Sequence, residues 1–154
     1  MQSCPGCGLI TPSGFDGCQT IFNELSARAM ELPHARFHRQ FVDIYCLQHP
    51  DPYMVSAKSM AAHVCGVCVA VEYGNDQSLI GAIHLFLNGP ARFAKPPVPE
   101  FRGDLRIDSV AAAPDLAHYR KALDAWGRET WRAYAPVHAH ARQWIEEMKA
   151  WRKR

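Results

Sequence analysis

The sequence lacks the long apolar segments of a membrane or secreted protein. Its longest apolar stretch, from Met60 to Val71, is interrupted by His63 and Gly66. That stretch is shorter than the roughly 20 apolar residues that a helix needs to cross a bilayer. The N-terminus has no positively charged start followed by an apolar run, so no signal peptide is predicted. We therefore expect a cytoplasmic protein with no membrane partner, in a compartment where disulfide bonds are rare.

Several functional motifs are also missing. The chain contains no phosphate-binding glycine loop, no nucleophile elbow and no dinucleotide fingerprint. Its net charge is only +2, and the basic C-terminal tip from Lys149 to Arg154 suits the negative end of a helix dipole better than a phosphate site. The four tryptophans lie among mixed charges and are predicted to be packing anchors: Trp126, Trp131, Trp144 and Trp151. Nucleic-acid binding therefore ranks last, no partner is indicated, and homo-oligomerisation stays open.

Period-two alternation of apolar and polar residues is almost absent, which excludes a sheet-based fold. The 154 residues have the length of one domain with a sizeable core. We predict a single helical domain over 1–154, an all-α bundle of five or six helices. Helices are expected over 18–30, 33–49, 53 or 56 to 73, and 77–87, and from 115 to the end with a kink or break at Pro136.

A proline-rich segment separates the two halves of the predicted bundle. Residues 90–103 contain Pro90, Pro96, Pro97 and Pro99, so an extended loop is predicted there. Long segments without regular structure are uncommon in compact domains unless they bind a ligand or cover a site.

Residues 1–17 form a cysteine-rich knuckle around Cys4-Pro5-Gly6-Cys7-Gly8. A Cys-x2-Cys turn supplies two thiolates for a tetrahedral zinc ion, and the glycines allow amide hydrogens to point at the sulfurs. The alternative is a redox dithiol, which needs a strand before it and a helix starting on it. Only three residues precede Cys4, so the spacing favours metal.

A structural zinc site needs two further ligands. If the first two helices form a hairpin that turns near residue 32, Cys18 and His49 lie at similar heights beside the knuckle. We therefore predict a site of three cysteines and one histidine: Cys4, Cys7, Cys18 and His49. The alternative for His49 is an ordinary histidine at a helix C-terminus. Cys65 and Cys68 lie within an apolar helix and are expected to pack as small hydrophobes.

Three further histidines could form a second site. His38, His63 and His138 are predicted to face the interior from three different helices. Imidazoles that converge in this way can bind a second metal and leave a position open for water. Asp43 and Glu72 are candidate carboxylate partners, and the loop over 90–103 is a candidate lid. The alternative is that the three are core histidines, each hydrogen-bonded to a neighbour.

Several segments together resemble an uncharacterised bacterial family, a domain of unknown function. They are Cys4-Pro-Gly-Cys-Gly, Gly17-Cys18, the run Val42-Asp43-Ile-Tyr45-Cys-Leu-Gln48-His49-Pro50, and Ser56-Ala-Lys-Ser59 before His63. The resemblance covers most of the chain, including the tryptophan-rich region near the end. It implies a bacterial source and a mostly helical fold, and it brings no established activity.

Two functional hypotheses follow, and whether the protein is an enzyme stays open. The first is a zinc-stabilised binding or regulatory module in which the metal is structural. The second is a metal-dependent enzyme with a histidine-lined site in the bundle, of the DinB-like thiol transferase or hydrolase type. The metal content per chain distinguishes them, because a second, exchangeable ion is expected only for the enzyme.

Overall fold

The computed structural model describes residues 1–30 and 37–154. Its helices are α1 Phe15–Ala29, α2 His38–Gln48, α3 Pro50–Tyr53, α4 Ala57–Glu72, α5 Gln77–Leu87, α6 Ile107–Ala111, α7 Leu116–Ala133 and α8 His138–Arg152. The predicted all-α fold is confirmed: six of these described helices are long, while α3 and α6 have only four and five residues. Within the two described ranges, every helix is too short or too polar to cross a lipid bilayer.

The chain begins with a small hairpin. Strands β1 (Gln2–Ser3) and β2 (Ile10–Thr11) pair antiparallel, and the cysteine knuckle forms the loop between them. Helix α1 begins at Phe15, three residues before the predicted start, so Cys18 lies in the first turn of that helix. The predicted start of the second helix at Pro33 and the turn near residue 32 lie outside the described residues.

Helix boundaries follow from capping residues and prolines. Ser56 forms a reciprocal capping box with Ser59 at the start of α4. The side chains of Asp76 and Asp115 accept hydrogen bonds from backbone N–H groups at the starts of α5 and α7. Pro136 produces a break: α7 ends at Ala133, a 3-10 turn covers Ala135–Val137, and α8 follows.

Helix α4 lies at the centre of the bundle and contacts α2, α5, α7 and α8. Its residues Met60, Val64 and Val67 are completely buried, and Cys65 and Cys68 are buried with them as expected. One cluster of buried apolar side chains extends from Cys4 in the knuckle to Met148 in α8. The knuckle is therefore packed onto the same core as the helices.

The contact between α2 and α4 includes a buried charge. Asp43 on α2 is fully buried, and its carboxylate lies 2.7 Å from Arg39 Nε and 2.8 Å from His63 Nδ1. Gly66 of α4 faces the same carboxylate so closely that a Cβ there would overlap Asp43 Oδ2. A buried carboxylate needs such partners, because desolvation of an unpaired charge costs several kcal/mol.

Gly66 in α4 and Gly81 in α5 provide a matched pair of alanine substitutions. Gly66→Ala should destabilise the fold by about 1–3 kcal/mol because its methyl group displaces Asp43. Gly81→Ala, whose Cβ would meet nothing within 4 Å, should stabilise it by roughly 0.5–1 kcal/mol. Urea unfolding of both variants and the wild type measures the two changes. A Gly66→Ala protein at least as stable as the wild type would contradict the packing described here.

A second carboxylate joins three helices. Glu72, near the end of α4, accepts hydrogen bonds from Trp131 Nε1 of α7 at 2.9 Å and from Arg142 Nε and Nη2 of α8 at 2.9 and 2.6 Å. The hydrogen bonds from Arg142 are the main reason why the pKa of Glu72 falls from 4.5 to about 2. A lowered pKa means that the folded state favours the charged form, so Glu72 stabilises the fold above pH 4.5.

Glu72→Gln should reduce the free energy of unfolding at pH 7 by about 1–2 kcal/mol. The change is modest because the Arg142 side chain is 53% exposed and solvent screens its charge. The difference between wild type and variant should shrink as the pH falls from 4.5 towards 2, where Glu72 is protonated in both states. Denaturant unfolding at each pH measures it, and titrating groups that do not interact with Glu72 cancel in the difference. Glu146→Gln, at a 63%-exposed residue paired with Lys149, is the control. A difference that does not depend on pH would contradict the ionic role of Glu72.

Candidate metal centre

Four potential metal ligands from three parts of the chain meet at one end of the bundle. Cys4 and Cys7 come from the knuckle, Cys18 from the first turn of α1, and His49 from the residue that follows α2. One ligand atom of each lies within 4.8 Å of the other three. All four residues are buried, with exposures of 1%, 8%, 0% and 1%. The arrangement could hold a metal ion.

The knuckle is held by its own backbone. The N–H of Cys4 donates to the carbonyl of Leu9, and the N–H of Gly8 donates to the carbonyl of Cys4, both at 2.8 Å. This tight turn directs the amide hydrogens of Gly6 and Cys7 towards the sulfur of Cys4, and that of Leu9 towards the sulfur of Cys7. Hydrogen bonds of this kind stabilise a thiolate over a thiol.

Tyr45 fixes the orientation of His49. Nδ1 of His49 lies 2.8 Å from the Tyr45 carbonyl oxygen, to which it donates because a carbonyl can only accept. In a neutral imidazole Nε2 is then the nitrogen without a proton, and it lies 3.4 Å from the sulfurs of both Cys4 and Cys18. The phenol ring of Tyr45 stacks on the imidazole at 4.0 Å, and its hydroxyl lies 3.6 Å from the Cys18 sulfur. A histidine whose second nitrogen donates to a carbonyl is typical of metal sites.

The two knuckle cysteines, Cys4 and Cys7, have raised pKa values. The pKa of Cys7 rises to about 12, chiefly because of its hydrogen bond with Cys18 and then because of burial. Burial also raises the pKa of Cys4. Three neighbouring thiols cannot all ionise in a buried site without a compensating cation. A bound cation would supply that charge and displace the protons.

Gly6 allows the knuckle to lie directly against the end of α2. A Cβ at this position would overlap His49 Cδ2 and lie 2.9 Å from the Gln48 carbonyl oxygen. Any larger residue would therefore push the knuckle away from His49. The glycine of the Cys-Pro-Gly-Cys turn therefore allows the knuckle and the end of α2, which both carry candidate ligands, to pack closely.

The end of the proline-rich segment covers the outer side of the knuckle. Residues 88–106 contain no helix or strand. Arg102 Nη1 donates to the Gly6 carbonyl at 2.7 Å, and Arg106 Nε donates to the Cys7 carbonyl at 2.6 Å. Gln48, which precedes His49, donates from Nε2 to the carbonyls of Arg102 and Leu105. This part of the chain therefore contacts the knuckle, whereas the sequence suggested the loop over 90–103 as a candidate lid over His38, His63 and His138.

The structure gives each of the other three predicted histidines a separate partner. His38 Nε2 lies 2.9 Å from Ser26 Oγ of α1, and His63 binds Asp43 of α2. His138 Nε2 donates to the Trp131 carbonyl at 2.7 Å, and its ring stacks on the indole. Across residues 1–30 and 37–154, these three histidines do not come together as a group of ligand atoms.

The family of the chain can be stated from sequence comparison. The model of a family described as "Family of unknown function (DUF5946)" matches residues 2–135. The chain belongs to this family. Comparison with curated proteins and with solved structures yields no match. The matched range includes all four members of the cysteine and histidine cluster and the loop that covers it.

Sequence reasoning missed the residues that support the cluster. Tyr45 could have been found, because it lies four residues before His49 and therefore on the same face of α2. The sequence around Arg102 and Arg106 contains no motif that links them to the knuckle. They follow the knuckle by almost 100 residues, and nothing in their immediate sequence indicates which carbonyl groups they bind.

Proposed function

We propose that Cys4, Cys7, Cys18 and His49 bind one structural zinc ion, and that the protein is a zinc-stabilised binding or regulatory module. The observation that carries this proposal is the convergence of four buried donors from three segments. Three cysteines and one histidine form a common ligand set of structural zinc sites. Calcium and magnesium prefer oxygen ligands, so sulfur and imidazole favour a softer ion.

The distances between donor atoms support a tetrahedral ion of this size. With zinc bonds of about 2.3 Å to sulfur and about 2.0–2.1 Å to nitrogen, two sulfurs lie about 3.8 Å apart and a sulfur and a nitrogen about 3.6 Å apart. The sulfurs of Cys7 and Cys18 lie 3.8 Å apart. Nε2 of His49 lies 3.4 Å from the sulfurs of Cys4 and Cys18.

Burial of the cluster favours a structural role for the ion. Catalytic zinc typically has three protein ligands and a fourth position for water or substrate. Here four protein donors surround one point, and each is at most 8% exposed. The alternative enzyme hypothesis depends on His38, His63 and His138, and the separate partners of these residues give it no support.

We further propose that the chain is a bacterial cytoplasmic protein that folds as one domain. All six cysteines are free, which suits a reducing compartment in which thiols stay available for a metal. The continuous core from Cys4 to Met148 supports one folding unit. The bacterial source rests on the family resemblance described above.

Substitution of the ligands should remove the zinc. We expect about one zinc per chain in the wild type, and its loss in Cys4→Ser, Cys7→Ser and Cys18→Ala with a lower melting temperature, because binding of metal to the folded state is folding free energy. His49→Ala should retain a weaker site, since water can replace the imidazole. Elemental analysis of the purified proteins and thermal unfolding are the measurements.

Cys46→Ala is the matched control. Cys46 is buried at 3% exposure and lies outside the four-residue cluster, so its substitution should leave the zinc content unchanged. A Cys7→Ser protein that retains one zinc per chain and the wild-type melting temperature would contradict the proposed site.

A further inference from the structure

Arg102 and Arg106 both hydrogen-bond to the knuckle backbone. Each donates from its guanidinium to a carbonyl of the knuckle, Arg102 to Gly6 and Arg106 to Cys7. Within residues 1–30 and 37–154, neither arginine forms an ion pair with a carboxylate. Both side chains are partly buried, so each arginine is held against the knuckle rather than extended into solvent.

The hydrogen bond from Arg102 continues through a peptide group to a sulfur. The carbonyl of Gly6 and the N–H of Cys7 belong to the same peptide unit, and that N–H points at the sulfur of Cys4. A cationic donor on the carbonyl polarises the peptide and makes its N–H a stronger donor. Arg102 therefore strengthens a hydrogen bond to a ligand atom without contacting that atom.

The charge of the proposed centre has the opposite sign to these side chains. A zinc ion with three thiolates and one neutral imidazole has one net negative charge. Two guanidinium groups beside the knuckle offset that charge in a region of reduced dielectric. We propose that Arg102 and Arg106 are positioning residues of the metal centre, which hold the knuckle in its ligating geometry and slow the release of the ion. This inference rests on the proposed function.

Gln48 attaches the same loop to the other side of the centre. Its Nε2 donates to the carbonyls of Arg102 at 3.0 Å and Leu105 at 2.8 Å, and the residue is completely buried next to His49. The loop is thus tied to both the knuckle and the end of α2. Because linkage is reciprocal, a bound metal should also stabilise the loop at Arg102 and Arg106.

The test compares Arg102→Gln and Arg106→Gln with Arg92→Gln, an exposed arginine in the same irregular segment. The measured quantity is the rate at which zinc-loaded protein transfers its ion to a chromogenic chelator. We expect about tenfold faster release for each of the first two variants and the wild-type rate for Arg92→Gln. Arg102→Lys and Arg106→Lys should recover part of the loss, because charge is kept while the guanidinium geometry is lost.

Cobalt substitution provides a readout that reports the ligand geometry itself. Arg106→Gln should shift or weaken the thiolate-to-cobalt absorption bands, while Arg92→Gln should leave them unchanged. Equal release rates and equal spectra for all variants would overturn the role of the arginines while the zinc site stands. A wild-type protein that takes up no stoichiometric metal would instead overturn the proposed function, and this inference with it.

Discussion

The structure depends on the meeting of the knuckle, α1 and the end of α2 around four buried donor atoms. The sulfurs of Cys7 and Cys18 and Nε2 of His49 face the same point, and their nearest polar neighbours include one another. Without a cation these groups form weak hydrogen bonds in a desolvated site, which contributes little to stability. With a cation, the same burial strengthens every bond in the cluster.

The local features of the site serve that convergence. Gly6 lets the knuckle approach His49, Tyr45 fixes the imidazole tautomer, and the hairpin aims amide hydrogens at the sulfurs. Arg102 and Arg106 then connect the knuckle to the long irregular segment between α5 and α6. The core around α4, which is continuous with the knuckle, and the buried or partly buried carboxylates of Asp43 and Glu72 stabilise the rest of the bundle.

Much of this arrangement could be predicted from the sequence. Helix type and most boundaries follow from periodicity, caps and prolines. Helix α5, for example, spans Gln77–Leu87, which is the predicted range. The pairing of Cys18 with His49 could be predicted because helical rise converts sequence distance into height along a hairpin. The same geometric argument placed His38 level with His63, yet equal height does not specify which way a side chain faces. His38 faces Ser26 of α1, while His63 faces Asp43 of α2.

The remaining features depend on contacts that sequence position does not reveal. The bonds from Arg102 and Arg106 span almost 100 residues, and the irregular segment that carries them has no periodicity to orient it.

Anomalous diffraction from crystals of the purified protein, recorded on both sides of the zinc absorption edge, tests the central claim most directly. We expect a single zinc peak about 2.3 Å from the sulfurs of Cys4, Cys7 and Cys18 and about 2.0–2.1 Å from Nε2 of His49. A map without a peak at this point, or with a disulfide bond between Cys7 and Cys18, would contradict the account.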